Sequence, residues 1–308
     1  MRRENTGLAR CFLSCAHSCQ GLDCMHCYLE SAGHFMSIDP KLRELNIDLP
    51  ACPATLVKLS LMMADDNVCV ADMATLIEGD MALSSAVVRT VNSALFGLLK
   101  RVETVHDGVR YLGMAQVASL TYEIGLRGAF PPSPLLQALW DRAGIRGMAM
   151  GRIARQMDVD PWLAHSVGLF AESGRAVLYA YDRAKYTHLS DTAPDEDALA
   201  AAEIEAFGVS HSALGGAMCQ AWGLARDVAD AVRARDSEPT GWKEERLVVR
   251  KLLTIGAAVD TLLLADERPA NTAAFWEGMQ PIAIDVGLHF EAFQLATQRV
   301  CDRLNMPG

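Results

Sequence analysis

Two groups of residues have the types and spacing to do chemistry. The first lies near the N-terminus, where five of nine cysteines fall between Cys11 and Cys27. Cys11, Cys15 and Cys19 recur at four-residue steps, so a helix would line them along one stripe. Cys24-Met25-His26-Cys27 adds a Cys-x-x-Cys pair with an intervening imidazole. Thiolates with a histidine suit zinc or an iron–sulfur cluster. Cys19, Cys24, His26 and Cys27 are therefore the candidate metal ligands, although the two-pair spacing of a zinc site is missing. The second group is His165, Glu172 and His211. His165 and Glu172 are seven residues apart, close to two helical turns, so one helix would place them on one face. His211 would come from another helix. Together they form a minimal substitute metal site, against the plainer expectation that Glu172 is solvated or paired with an arginine. In the plainer reading His211 bonds at a helix start.

Other chemistries lack their signatures. No Gly-x-Ser-x-Gly elbow, Walker Gly-Lys-Ser/Thr or Gly-x-Gly-x-x-Gly motif occurs. Asn92-Ser93 has no histidine nearby to act as base, so these side chains are expected to bond backbone at a helix end. The remaining cysteines, Cys52, Cys69, Cys219 and Cys301, sit among apolar neighbours and are expected to act as small buried hydrophobes.

The elements that must position these residues read as helices. Leu56, Leu59, Met62 and Met63 share one face, and Val87, Val88, Val91 and Leu95 another. Val248, Leu252, Ile255, Val259 and Leu262 form a third stripe, expected to be core rather than an oligomer seam. Asp39-Pro40, Ser133-Pro134 and Asp160-Pro161 each put a capping acceptor before a proline, a helix-start signal. Gly97, Gly113 and Gly208 mark stops. Strand-like alternation is hard to find, so the fold class is all-α.

Bulk properties narrow the function. The 308-residue chain is 51% hydrophobic with a net charge of -10, long enough to bury a large core. Its negative charge repels phosphate backbones and anionic lipid, so neither nucleic acid nor membrane is an expected partner. No apolar run reaches the roughly 20 residues of a membrane span, and the N-terminus does not read as a secretory signal. The expected location is cytoplasmic.

Three blocks carry a family resemblance. The first is Leu49-Pro50-Ala51-Cys52-Pro53-Ala54, Leu76 to Leu83, Val91-Asn92-Ser93-Ala94-Leu95-Phe96-Gly97, then Val102, Val105 and Tyr111-Leu112-Gly113. The second is Gly168-Leu169-Phe170-Ala171-Glu172-Ser173-Gly174-Arg175. The third runs from Glu203 to Trp222 and holds Glu205, Phe207-Gly208, His211 and Gly215, with Gly223-Leu224 following. In this order and spacing they resemble an HDOD domain, a relative of HD and HD-GYP metal-dependent phosphohydrolases. Asp80-Met81 stands where the family usually has Asp-Pro.

The resemblance, which covers about residues 45–236, implies a multi-helix HDOD bundle, taken to span 36–236; by their own pattern further helices follow a polar break over 237–308 and are expected to pack on it, and a Cys-rich extension occupies 1–35. Met36 would make a normal start, so that extension is expected to be either untranslated or disordered, with metal or redox sensing as a further reading. It also implies that the HD chemistry is lost. The segment that reads His-Asp in HD relatives is Ala171-Glu172 here. No histidine occurs in Trp140-Asp141-Arg142-Ala143-Gly144 or in Ala231-Val232-Arg233-Ala234-Arg235-Asp236. The expectation is a pseudoenzyme with no catalytic residue, no metal and no cofactor, acting in bacterial signal transduction through other signalling proteins. The cleft near Ala171, Glu172 and His211 is the candidate ligand or partner surface, and a homodimer is a further expectation. Two alternatives stay open: a divergent metal-dependent phosphohydrolase acting on a nucleotide, and a thiol-based sensor using the N-terminal cysteines.

Overall fold

A computed structural model describes residues 47–65, 67–93, 96, 98–237, 239, 241–264 and 272–304. All belong to one compact unit, Leu45–Gly308. The N-terminal cysteines, His26, Asp39-Pro40, Leu95 and Gly97 lie outside the described residues.

Among the described residues the regular elements are helical. A first group comprises α1 (Ala54–Met63), α2 (Val70–Glu78), α3 (Met81–Val91), α4 (Val105–Leu112) and α5 (Met114–Gly128). A long helix, α6 (Pro134–Gln156), follows, then α7 (Pro161–Phe170), α8 (Ser173–Tyr181), α9 (Arg183–Thr192), α10 (Glu196–Phe207), α11 (His211–Ala221) and α12 (Arg226–Ala234). A 3-10 turn, Gly241–Glu244, leads to α13 (Leu247–Val259), a π-turn over Asp260–Leu264, α14 (Thr272–Asp285) and α15 (Phe290–Leu304).

Local chemistry sets these boundaries. The Ser133 hydroxyl accepts from Leu136 N–H at 3.1 Å at the start of α6, and Asp160 accepts from Trp162 N–H at 2.7 Å at the start of α7. Both satisfy donors that a helix start leaves open. Gly208 ends α10 with φ +78°, a left-handed conformation that suits glycine. Asn92 caps α3: its amide donates to the carbonyls of Val88 and Val102, and its Oδ1 accepts from Val102 N–H. Asn92 is structural, as its neighbourhood predicts.

Helix α6 is the spine. It packs on α7, α13 and α15, and α5 joins the first group to α7. The α6–α7 seam is closed by glycines: a Cβ on Gly168 would lie 2.7 Å from Gly147 Cα. At the α8–α11 crossing a Cβ on Gly174 would collide with the His211 carbonyl. Rings fill the rest. Phe170 meets Trp222 edge-on with centroids 5.6 Å apart, and Tyr122 meets Trp162 at 5.2 Å. Their polar ends are satisfied by backbone: the Tyr122 hydroxyl donates to Leu56 O and Trp222 Nε1–H to Pro50 O.

Of the C-terminal helices, α13 and α15 pack on the spine, and α14 packs on those two. Leu252, Ile255, Val259 and Leu262 are buried as the stripe requires, but Val248 is 41% exposed and Val249 takes its place. Of the four scattered cysteines, Cys219 and Cys301 are buried. Cys52 is half-buried, and Cys69 is exposed because it stands at the N-cap of α2, where Asp72 accepts its backbone N–H.

Candidate functional site

Glu172 stands at the N-cap of α8, immediately after α7 ends at Phe170. That corner sends its carboxylate inward, and the residue is only 1% exposed. A buried carboxylate needs charged or hydrogen-bonding partners. Arg146 supplies them from the middle of α6: its Nη1–H donates to Glu172 Oε1 at 2.6 Å, and its Nε–H donates to Asp260 at 2.6 Å. Arg175 Nε lies 3.0 Å from Glu172 Oε2, and its other arm reaches Glu196. Arg235, beyond α12, lies 3.5 Å from Glu172 Oε1 and donates to the Ala171 carbonyl at 2.9 Å. Burial alone pushes the Glu172 carboxyl up. Arg146, Arg235, Arg175 and His211 overcome this and hold it well below the usual carboxylate range.

His211 opens α11 and is fully buried. Its backbone N–H donates to Glu203 Oε2 at 2.7 Å, and its Nδ1 lies 2.7 Å from the same oxygen. Nε2 faces Asp236 at 3.4 Å. Of the two glutamates in that sequence block, the exposed Glu205 takes no part.

Ala171, Glu172 and His211 are thus all buried, at 1%, 1% and 0% exposure. The expected cleft is narrow because guanidinium groups fill it. What remains is a crevice of about 50 Å³ beside Ala171, whose lining includes Arg146, Arg235, Trp242 and Asp260.

The same geometry tests whether a metal fits. A divalent ion needs oxygen or nitrogen donors converging at about 2.0–2.2 Å. Both oxygens of Glu172 face arginines, and both ring nitrogens of His211 face carboxylates. This donor set matches guanidinium, not a divalent ion. Among the described residues no three His, Cys, Asp or Glu side chains are placed to hold one. His165 does not join Glu172 and His211. Its ring lies against Gly147 and lines a separate recess with Gln116, Ser119, Arg152 and Arg155.

Arg146 and Asp260 are the members that motif reading missed. Their bond spans 114 positions in the chain, so no local spacing announces it. One signal was present: Arg146 sits in Ala143-Gly144-Ile145-Arg146-Gly147-Met148-Ala149-Met150, a lone charge in a stretch of small and apolar residues.

The class is that of an all-α bundle with a buried arginine–carboxylate centre. Residues 49–238 match the HDOD domain family, and the chain belongs to it. An uncharacterized protein of Treponema pallidum (strain Nichols) is 24% identical over 218 residues, which is 66% of this chain and 40% of that protein. The chain therefore spans less than half the length of the curated relative it matches. Among solved structures, a candidate signal transduction protein of Marinobacter aquaeolei VT8 superposes with TM-score 0.67 at 20% identity, covering 85% of this chain and 60% of that one. A candidate phosphohydrolase of Shewanella amazonensis SB2B gives 0.66 at 18%, covering 83% and 92%. An HDOD domain protein of unknown function from Geobacter sulfurreducens gives 0.63 at 16%, covering 86% and 94%. At these identities the likeness concerns the fold. No helix among the described residues is long and apolar enough to cross a membrane.

Proposed function

We propose that this protein is a non-catalytic signal-transduction module that works by binding other signalling proteins. One observation carries the reading: Glu172, where HD relatives have the aspartate of the His-Asp pair, is occupied by Arg146 and Arg175 with Arg235 at its flank. Three fixed guanidiniums supply the positive charge that a metal would bring, but they cannot lower the pKa of a bound water as a metal does. Family membership and the name of the Marinobacter neighbour point the same way. The centre then serves as a rigid hub joining α6, α8, α12 and the π-turn, and the outer surface meets the partner.

The name of the Shewanella neighbour supports the competing reading, a metal-dependent phosphohydrolase. Elemental analysis and Mn²⁺ titration separate the two, using full-length protein with Cys11, Cys15, Cys19, Cys24 and Cys27 replaced by Ser. The expected result is no stoichiometric metal and no hydrolysis of a generic phosphodiester. One equivalent of Mn, Fe or Zn that disappears in Glu172→Ala would establish the enzyme instead.

A further inference from the structure

The crevice beside Ala171 has a shape that helix packing does not account for. Its floor is apolar: Ala171, Ala231, Met150 and Leu252 all line it and are buried. Gly256 and Ala257 of α13 are half-buried, and with Arg235 and Asp260 they mark its mouth. The volume of about 50 Å³ is several times what one water needs, but the floor offers a water few partners.

Gly256 shows that the space is no by-product of close helix contact. At Gly168 and Gly174 an added Cβ would strike backbone, so those glycines let helices approach. At Gly256 the nearest atoms belong to the Met150 side chain, with Cε at 3.5 Å and Sδ at 3.8 Å, which is ordinary contact. A methyl would fit there and would favour the helix, yet none is present.

The mouth carries a donor and an acceptor that do not satisfy each other. Arg235 Nη1–H donates to the Ala171 carbonyl at 2.9 Å, and Asp260 Oδ1 accepts from Arg146 Nε–H at 2.6 Å. The remaining atoms, Arg235 Nη2 and Asp260 Oδ2, are 3.9 Å apart, beyond hydrogen-bond reach. These side chains are 16% and 33% exposed, and neither free atom is buried. The two charges balance, which suits a neutral group that both donates and accepts. An extended peptide residue is such a group: its N–H and C=O can exchange two bonds with one facing partner.

We infer that the crevice is the anchor slot for a protein partner. An extended segment of that partner places a valine-sized aliphatic side chain against Ala171, its N–H donates to Asp260, and its carbonyl accepts from Arg235. The volume is roughly that of an isopropyl group. A single side chain desolvated in a closed pocket is how protein interfaces concentrate affinity. This inference rests on the protein-binding reading above and names the surface that reading uses.

The test titrates N-acetylvaline N-methylamide into the full-length protein and follows the indole N–H signal of Trp242 in ¹⁵N spectra. Trp242 lines the crevice, and Trp242→Phe assigns the signal. A saturable shift is expected, with a Kd on the order of 1 mM for so small a probe. N-acetylglycine N-methylamide lacks the side chain, and isobutanol lacks the peptide group; each should bind at least about tenfold more weakly. Gly256→Ala should melt about 1–3 °C higher than the wild type, yet bind the valine probe at least about tenfold more weakly. A glycine with a merely structural role would not separate those two readouts. The inference fails if the valine probe gives no saturable shift, if either control matches it, or if Gly256→Ala binds it unchanged. Should that variant melt lower, the three probes decide the matter on the wild type. A failed probe beside a metal-free Mn²⁺ titration removes the slot and leaves the signalling reading standing. Stoichiometric metal that is lost in Glu172→Ala removes the reading itself.

Discussion

At the scale of single residues, two buried groups are expected to contribute to how this protein responds to acid. His165 is held neutral: burial lowers its pKa from 6.5 to about 4, the Gly147 backbone opposing. A histidine depressed in this way takes up its proton first in the unfolded chain. Its contribution is full above pH 6.5 and is lost as pH falls from 6.5 to about 4, by roughly 3 kcal/mol. His165→Asn should flatten that part of a stability-versus-pH curve measured by urea denaturation. Glu172 follows at lower pH. Its folded pKa is well below 4.5, so its contribution is present above 4.5 and is lost progressively as pH falls from 4.5 through that low folded value. Replacing it with Ala leaves Arg146 without its buried anion, and a loss of about 3–5 kcal/mol is expected. Asp260 is a third exposed, so Asp260→Asn should cost much less, about 1 kcal/mol, in the same assay. The sequence made Ala171-Glu172 and His211 stand out because a family pattern surrounds them. It was silent on Arg146 with Asp260, since an ion pair between distant segments leaves no periodic trace.

At the scale of elements, caps and glycines do most of the positioning, and they were largely readable. Asp160-Pro161 and Ser133-Pro134 start helices as written, and Gly208 ends one. Asp160→Ala should cost about 1 kcal/mol in thermal or chemical denaturation, through loss of the one oxygen that accepts from the N–H groups of Trp162 and Leu163. Glycines inside helices were harder to read, because their spacing does not say which helix faces them. Gly168 lies against the Gly147 backbone, so Gly168→Ala must push α6 and α7 apart and should destabilise by about 1–3 kcal/mol or more. Gly278 in α14 faces open space, so Gly278→Ala should instead stabilise by about 0.5–1 kcal/mol. Melting both variants side by side checks the contrast. The shift from Val248 to Val249 has a similar origin, since a helical stripe fixes the period but leaves its phase to the neighbouring helix.

At the scale of the whole molecule, the C-terminal helices are structurally joined to the family fold. Helices α13 and α15 rest on α6, and Asp260, just beyond α13, pairs with Arg146 inside the centre. A chain stopped at residue 244 would expose the α6 face and remove one anion from Arg146. It is expected to lose cooperative unfolding, with circular dichroism during heating as the readout. The all-α class was legible from periodicity. The choice of partner for each face was not, because it depends on shape complementarity across long chain separations.

The glycine seams of α6 with α7 and of α8 with α11 also have a temporal consequence. Backbones in such close approach leave little slack for local opening. Deuterium uptake by the amides of these four helices should therefore lag behind the rest of the chain, proceeding only when the molecule unfolds as a whole.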